Sequence, residues 1–141
     1  MIRHILPVLL IGLFANISAH AADIILNISE AKSDKGKIVA SLWDSEEAYL
    51  DLDARMMRGV AQISNGVAVL RLEGMAPGTY SIALYHDENG NNEMDTNFIG
   101  IPKEGWAFSN NAKGKFGPPA FEKTSFTVGT EDEQMDLAMN Y

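Results

Sequence analysis

The sequence predicts an all-β fold, a single antiparallel β-sandwich of about seven strands. Three observations carry that expectation. From Asp23 onward, apolar residues recur with the two-residue period of a strand rather than the period of a helix. Clusters of Gly, Asn, Asp and Pro separate the alternating runs. With 46% hydrophobic and 21% charged residues, the 141-residue chain is globular in composition and sized for one core.

Ile24, Leu26 and Ile28 form the first run, and Ile38, Ala40 and Leu42 the second, each alternating with a mixed face. Asp44 to Met57 breaks the pattern. Asp44 or Ser45 can cap a helix, Glu46 and Glu47 suit its first turn, and Tyr49, Leu50, Leu52 and Met56 can stripe one side. A short helix or an irregular crossover is therefore expected near residues 45–57. Residues 58–64 and 67–72 flank Asn65-Gly66, a pair that tolerates the positive φ of a tight hairpin turn. Residues 79–86 give the fifth strand. Thr124, Phe126 and Val128 give the sixth, and Met135, Leu137, Met139 and Tyr141 the seventh. A long ordered loop is expected over residues 96–122.

Met1-Ile2-Arg3-His4, the apolar residues 5–14 and the small Ala19 and Ala21 have the layout of a secretory leader. A signal peptide over residues 1–21 and a β-sandwich domain over 22–141 are expected. The apolar stretch is shorter than the ~20 residues of a bilayer span. The processed chain is thus expected to be periplasmic or extracellular and not to span a membrane. The 11 Lys+Arg against 19 Asp+Glu give a net charge of −8, which speaks against nucleic acid as a partner. Cysteine is absent, which excludes disulfides, thiolate catalysis and thiolate metal sites.

The stretch from His86 to Asn97 is dense in oxygen donors. Asp87, Asn89 and Asn91 stand two apart and Asp95 follows, the alternate spacing by which a loop wraps a hard cation such as Ca²⁺. The carbonyl of Glu93 completes the set, and Glu104 can supply a missing ligand. Asn92 stands where such loops carry glycine, and Phe98 stands where they carry a bidentate glutamate, so a helix-flanked EF-hand is not expected. The alternative is a solvated turn in which the asparagines bond their own backbone.

Residues 101–121 lack a clear strand period yet hold Trp106, Phe108, Phe116 and Phe121. These aromatics are expected to fold back over one end of the core. The alternative is a recognition surface for a small ligand or sugar, with Trp106 and Phe108 as platform and Asn110 and Asn111 as hydrogen-bonding partners. His86 shares a strand face with Tyr80, Ile82 and Leu84 and is expected at the edge of the core. The third reading is a metal-dependent hydrolase using His86, Asp87 and Asp95.

Gly74-Met75-Ala76-Pro77-Gly78-Thr79-Tyr80, Tyr85-His86-Asp87-Glu88-Asn89-Gly90-Asn91, Gly100-Ile101-Pro102-Lys103-Glu104-Gly105, Phe108-Ser109-Asn110-Asn111 and Gly117-Pro118-Pro119-x-Phe121 together resemble the bacterial domain-of-unknown-function 2141 family. The resemblance covers essentially the whole mature chain. Through its Pro-Gly-x-Tyr strand start it implies a transthyretin-like or prealbumin-like sandwich and export, and it implies no established activity. The expected role is a non-enzymatic module for binding or scaffolding at the cell envelope, with a weak structural Ca²⁺ loop and an envelope protein or glycan as partner.

Overall fold

The computed structural model describes residues 21–141, so the expected leader lies, apart from Ala21, outside the described residues. Among the described residues, eight strands form two sheets. They are β1 (Ala22–Ser29), β2 (Lys37–Trp43), β3 (Met57–Ala61), β4 (Ala68–Met75), β5 (Gly78–Asp87), β6 (Trp106–Phe108), β7 (Phe126–Val128) and β8 (Glu133–Ala138). One sheet has the order β4-β1-β8. The other runs β3-β2-β5-β6, with β7 paired to the start of β5. Every strand pair is antiparallel except β1 with β8, which is parallel.

The alternation seen in the sequence becomes the core. Ile24, Leu26 and Ile28 face Ile38, Ala40 and Leu42 across the sandwich, joined by Leu70, Leu72, Ile82, Leu84 and Leu137. Each such side chain contributes ~1.5–3 kcal/mol when fully removed from water. In β2 burial does not alternate, and Val39, Ser41 and Trp43 on the far face are buried too. A second layer therefore lies over part of the outer face of this sheet.

The Asn65-Gly66 turn forms as expected, with φ of 53° and 74°. Ser64 and Val67 exchange backbone hydrogen bonds of 2.9 and 3.2 Å across it. The arms then part, β3 joining β2 and β4 joining β1. The predicted hairpin is thus a corner between the two sheets. Ala61 and Ile63 on one arm and Ala68 and Leu70 on the other all point into the core, which two packed sheets accommodate and a flat hairpin does not.

Between β2 and β3 the chain makes irregular turns, the crossover expected there as the alternative to a helix. The segment 96–122 is more structured than a loop. It contains β6, a 3-10 turn over Ser109–Asn111 and, at its end, the start of the short helix α1 (Phe121–Thr124). β6 is the eighth strand, absent from the sequence expectation. It is also tied to the last residues by mutual backbone bonds between Trp106 and Asn140 of 2.8 and 2.9 Å. No helix among the described residues is long and apolar enough to cross a membrane.

Candidate functional site

Strand β5 carries a polar loop at its end and an aromatic cleft on its outer face. The loop begins at Asp87, which is fully buried. Its Oδ1 accepts the amides of Gly90 and Asn91 at 2.9 and 3.1 Å, and its Oδ2 accepts the amide of Asn92 at 2.9 Å. Lys37 Nζ stands 3.8 Å away. Gly36 makes this burial possible, because a Cβ there would fall 1.8 Å from the Asp87 carbonyl oxygen. Asn92 adopts a φ of 64°, the left-handed conformation asparagine tolerates.

The side-chain oxygens of Asn89, Asn91, Asp95 and Glu104 are also engaged by protons, whereas the Glu93 carbonyl accepts no hydrogen bond among the described residues. Asn89 and Asn91 donate their amides to the two Asp95 oxygens at 2.6 and 3.0 Å. Their own side-chain oxygens accept the backbone amides of Asn91 and Glu93. Glu93 is exposed. Glu104 is buried and bridges the loop, accepting the amides of Glu88 and Asp95 at 3.0 and 3.1 Å. Among the described residues, no three His, Asp or Glu side chains cluster closely enough to hold a metal ion by themselves, and the expected Ca²⁺ loop draws on asparagine and carbonyl oxygens besides. A cation entering here would have to displace the Asn89 and Asn91 amides from Asp95.

His86 lies wholly inside. Its Nε2 is 2.6 Å from the Lys35 carbonyl, which can only accept, so Nε2 carries a proton. Its Nδ1 is 2.7 Å from the Tyr141 hydroxyl, which also accepts the Lys32 amide at 3.0 Å. Burial pushes the Tyr141 phenol above its ordinary pKa. Gly105 leaves room for the Tyr141 ring, since a Cβ would approach it to 2.4 Å. Both ring nitrogens of His86 thus serve the fold.

The aromatic cleft follows from register. Ser41 pairs with Ala83 and Ala83 with Phe108, while Val39 pairs with Tyr85 and Tyr85 with Trp106. These two rows lie on the outer face. Ser41 and Ala83 are small, so a hollow opens among larger neighbours, with Trp43, Tyr85, Trp106, Phe108, Leu50 and Leu52 around it. Its volume is about 480 Å³, within the ~300–1,000 Å³ of small-molecule sites. Arg55, Asn92, Glu93 and Met94 form the rim. Trp106 and Phe108 meet edge to face, with ring centroids 5.8 Å apart. Burial raises the Tyr85 pKa, Asp87 adds to the rise, and Arg58 and Arg55 oppose it.

The other end of the outer face is sealed. Trp43 packs edge to face on Tyr49, and Tyr49 on Phe121, with centroids 5.7 and 5.6 Å apart. The Tyr49 hydroxyl donates to the Pro119 carbonyl at 2.9 Å. Of the aromatics expected to cover the core, Phe121 joins this outer seal, Trp106 and Phe108 border the hollow, and Phe116 is fully exposed. Asn110 and Asn111 stand apart from the cleft. Asn110 donates to the Lys123 and Ser125 carbonyls, and Asn111 bonds the backbone of Asp136 and Ala138.

Sequence reasoning found Trp106 and Phe108 but missed Trp43, Tyr85, Ser41, Ala83 and Arg55. A signal was present. Val39 and Trp43 are apolar at outward positions of β2, which marks a strand covered on both faces, and small outward Ser41 and Ala83 mark the gap in that cover.

A family model described as an uncharacterized protein conserved in bacteria (DUF2141) matches residues 26–136. No curated protein and no solved structure matches the chain.

Proposed function

Since the chain belongs to the DUF2141 family, whose description names no activity, we propose its role from the geometry: a non-enzymatic binding module that seats a small ligand in the aromatic cleft. The observation that carries this reading is the hollow itself, where half-buried Tyr85, Trp106 and Phe108 surround Ser41 and Ala83. Large rings left open to water around a concave floor gain by covering. The leader layout supports placing this work at the cell envelope. The full engagement of His86 and Asp87 by the fold supports binding over hydrolysis. The acidic loop serves in this reading as a preformed rim, with Asn92 and Glu93 at the mouth.

Both tryptophans of the chain line the cleft, so intrinsic fluorescence reports this one place. Titration with a panel of envelope glycans and of small apolar molecules is expected to give a saturable change for at least one member. Ala83→Leu, which fills the floor, is expected to abolish that change while leaving the melting temperature within a few degrees. A flat response across both halves of the panel refutes the cleft as a ligand seat.

A further inference from the structure

The rim of the cleft is electrostatically uneven, and the unevenness narrows the ligand. Arg55 lines the cleft and is half-buried. No carboxylate among the described residues lies within ion-pair distance of it, and it makes no side-chain hydrogen bond among them. Lys35, Lys103, Lys113, Lys115 and Lys123 likewise make no ion pair among the described residues, but none of them lines the cleft. Arg71 pairs with Asp23, Lys32 with Glu88 and Lys37 with Asp87, while Arg58 donates to Asn92 Oδ1 at 3.1 Å. Arg55 is thus the one guanidinium among the described residues that bonds neither a carboxylate nor a side-chain amide, and it stands at an aromatic wall.

A guanidinium presents a planar fork of donors that fits a carboxylate with two parallel bonds, and it holds its charge at any working pH. Removing it from water without an anion carries a penalty that a bound anion relieves. The charges around the mouth limit that anion. Among the side chains lining the hollow, Arg55 is the one cation and Glu93 the one anion, so the cleft offers a single fork, which a single carboxylate fills. The rest of the hollow, between Trp43, Leu50, Leu52, Trp106 and Phe108, offers rings and aliphatic chains and so selects an apolar body.

We infer that the cleft takes a small apolar molecule bearing a single carboxylate, with the carboxylate on Arg55 and the body between Trp106, Phe108 and Trp43. This rests on the cleft reading above and names the ligand class for it. No covalent step is involved.

The test uses two probes of one shape, 2-naphthoate and its neutral amide 2-naphthamide, followed by tryptophan fluorescence on the wild-type mature chain. Naphthoate is expected to bind at least tenfold more tightly than naphthamide, and the ratio is expected to shrink several-fold in 1 M salt. Arg55→Gln is expected to bring the ratio near one while keeping the naphthamide affinity, which also shows that the variant is folded. Arg55→Lys is expected to fall between the two, retaining charge without the fork. Equal binding of both probes by wild type, or a ratio that survives Arg55→Gln, overturns the anion assignment and leaves the cleft reading standing. Binding of a glycan with neither probe bound overturns the ligand class alone. Silence toward both probes and the whole panel overturns the cleft as well.

Discussion

The acidic loop and the aromatic cleft adjoin the same strand, β5, and use their side chains in opposite ways. In the loop, Asp87, Asn89, Asn91, Asp95 and Glu104 all bond to neighbouring amides of the chain. In the cleft, Arg55 lacks an ion-pair partner among the described residues and the rings of Trp106 and Phe108 are only half-buried. A cluster of polar residues bonded to one another offers a ligand less, because each bond to a ligand must first break one to the chain. Chemistry left incomplete by the fold is where a ligand gains most.

The sharpest way to break this comparison is Asp87→Ala. Three amides would lose a buried acceptor, and Lys37 its anionic neighbour. A loss of about 3 kcal/mol is expected in urea denaturation, in EDTA and in millimolar Ca²⁺ alike. Wild type is likewise expected to melt at the same temperature in both. A calcium-dependent rise in wild-type melting that Asp87→Ala lacks would return the loop to the ion-binding role its spacing suggested.

A smaller effect is expected at Asn110, whose amide ties the 3-10 turn to α1 and whose φ is 62°. Asn110→Ala is expected to cost about 1–2 kcal/mol, from two lost bonds and an alanine held in the left-handed region. Unchanged naphthoate or glycan titrations would keep Asn110 outside the ligand seat, whereas lost binding in a folded variant would bring it back in.

Trp106→Ala inverts the pattern. Its ring is half-buried on the outer face, so stability is expected to fall by no more than ~1 kcal/mol, while ligand affinity falls at least tenfold. Substantial destabilisation with intact binding would make Trp106 part of the fold's cover, like Phe121.

The runs that became β1, β2, β4, β5 and β8 were legible because each has one face that must be dry, and a period of two states this without tertiary context. The Asn65-Gly66 turn was legible for the same local reason, but the sheets its arms join were not. A turn fixes a reversal, and only the packing of Ala61, Ile63, Ala68 and Leu70 decides the partners. β6 escaped because its three residues invert the usual rule, with Ala107 facing the core and Trp106 and Phe108 facing out. The loop's oxygen spacing was readable, but the spacing is the same whether a cation or backbone amides occupy those oxygens. The cleft depends on cross-strand neighbours far apart in sequence, so the small outward Ser41 and Ala83 hinted at its floor while the pairing of its walls and the position of Arg55 were out of reach.

The smallest expected effect tests the loop's device in water. Asp34 does at the surface what Asp87 does in the interior, accepting the amides of Asn65 and Gly66 at 2.9 Å each. Those two bonds hold its carboxyl below the usual carboxylate range. A native value below the unfolded one means that the unfolded chain binds the proton first as the pH falls. The contribution of Asp34 is therefore complete above the ordinary carboxylate value of ~4 and lost as the pH drops through the lower native value. Exposure and salt keep it small. Asp34→Asn, which cannot ionise, is expected to have a slightly lower urea midpoint than wild type near neutral pH, with the two converging in acid. A gap that stays constant with pH would assign the effect to shape rather than charge, and no gap at any pH would show that amides around a carboxylate stabilise this fold only where water is excluded, as at Asp87.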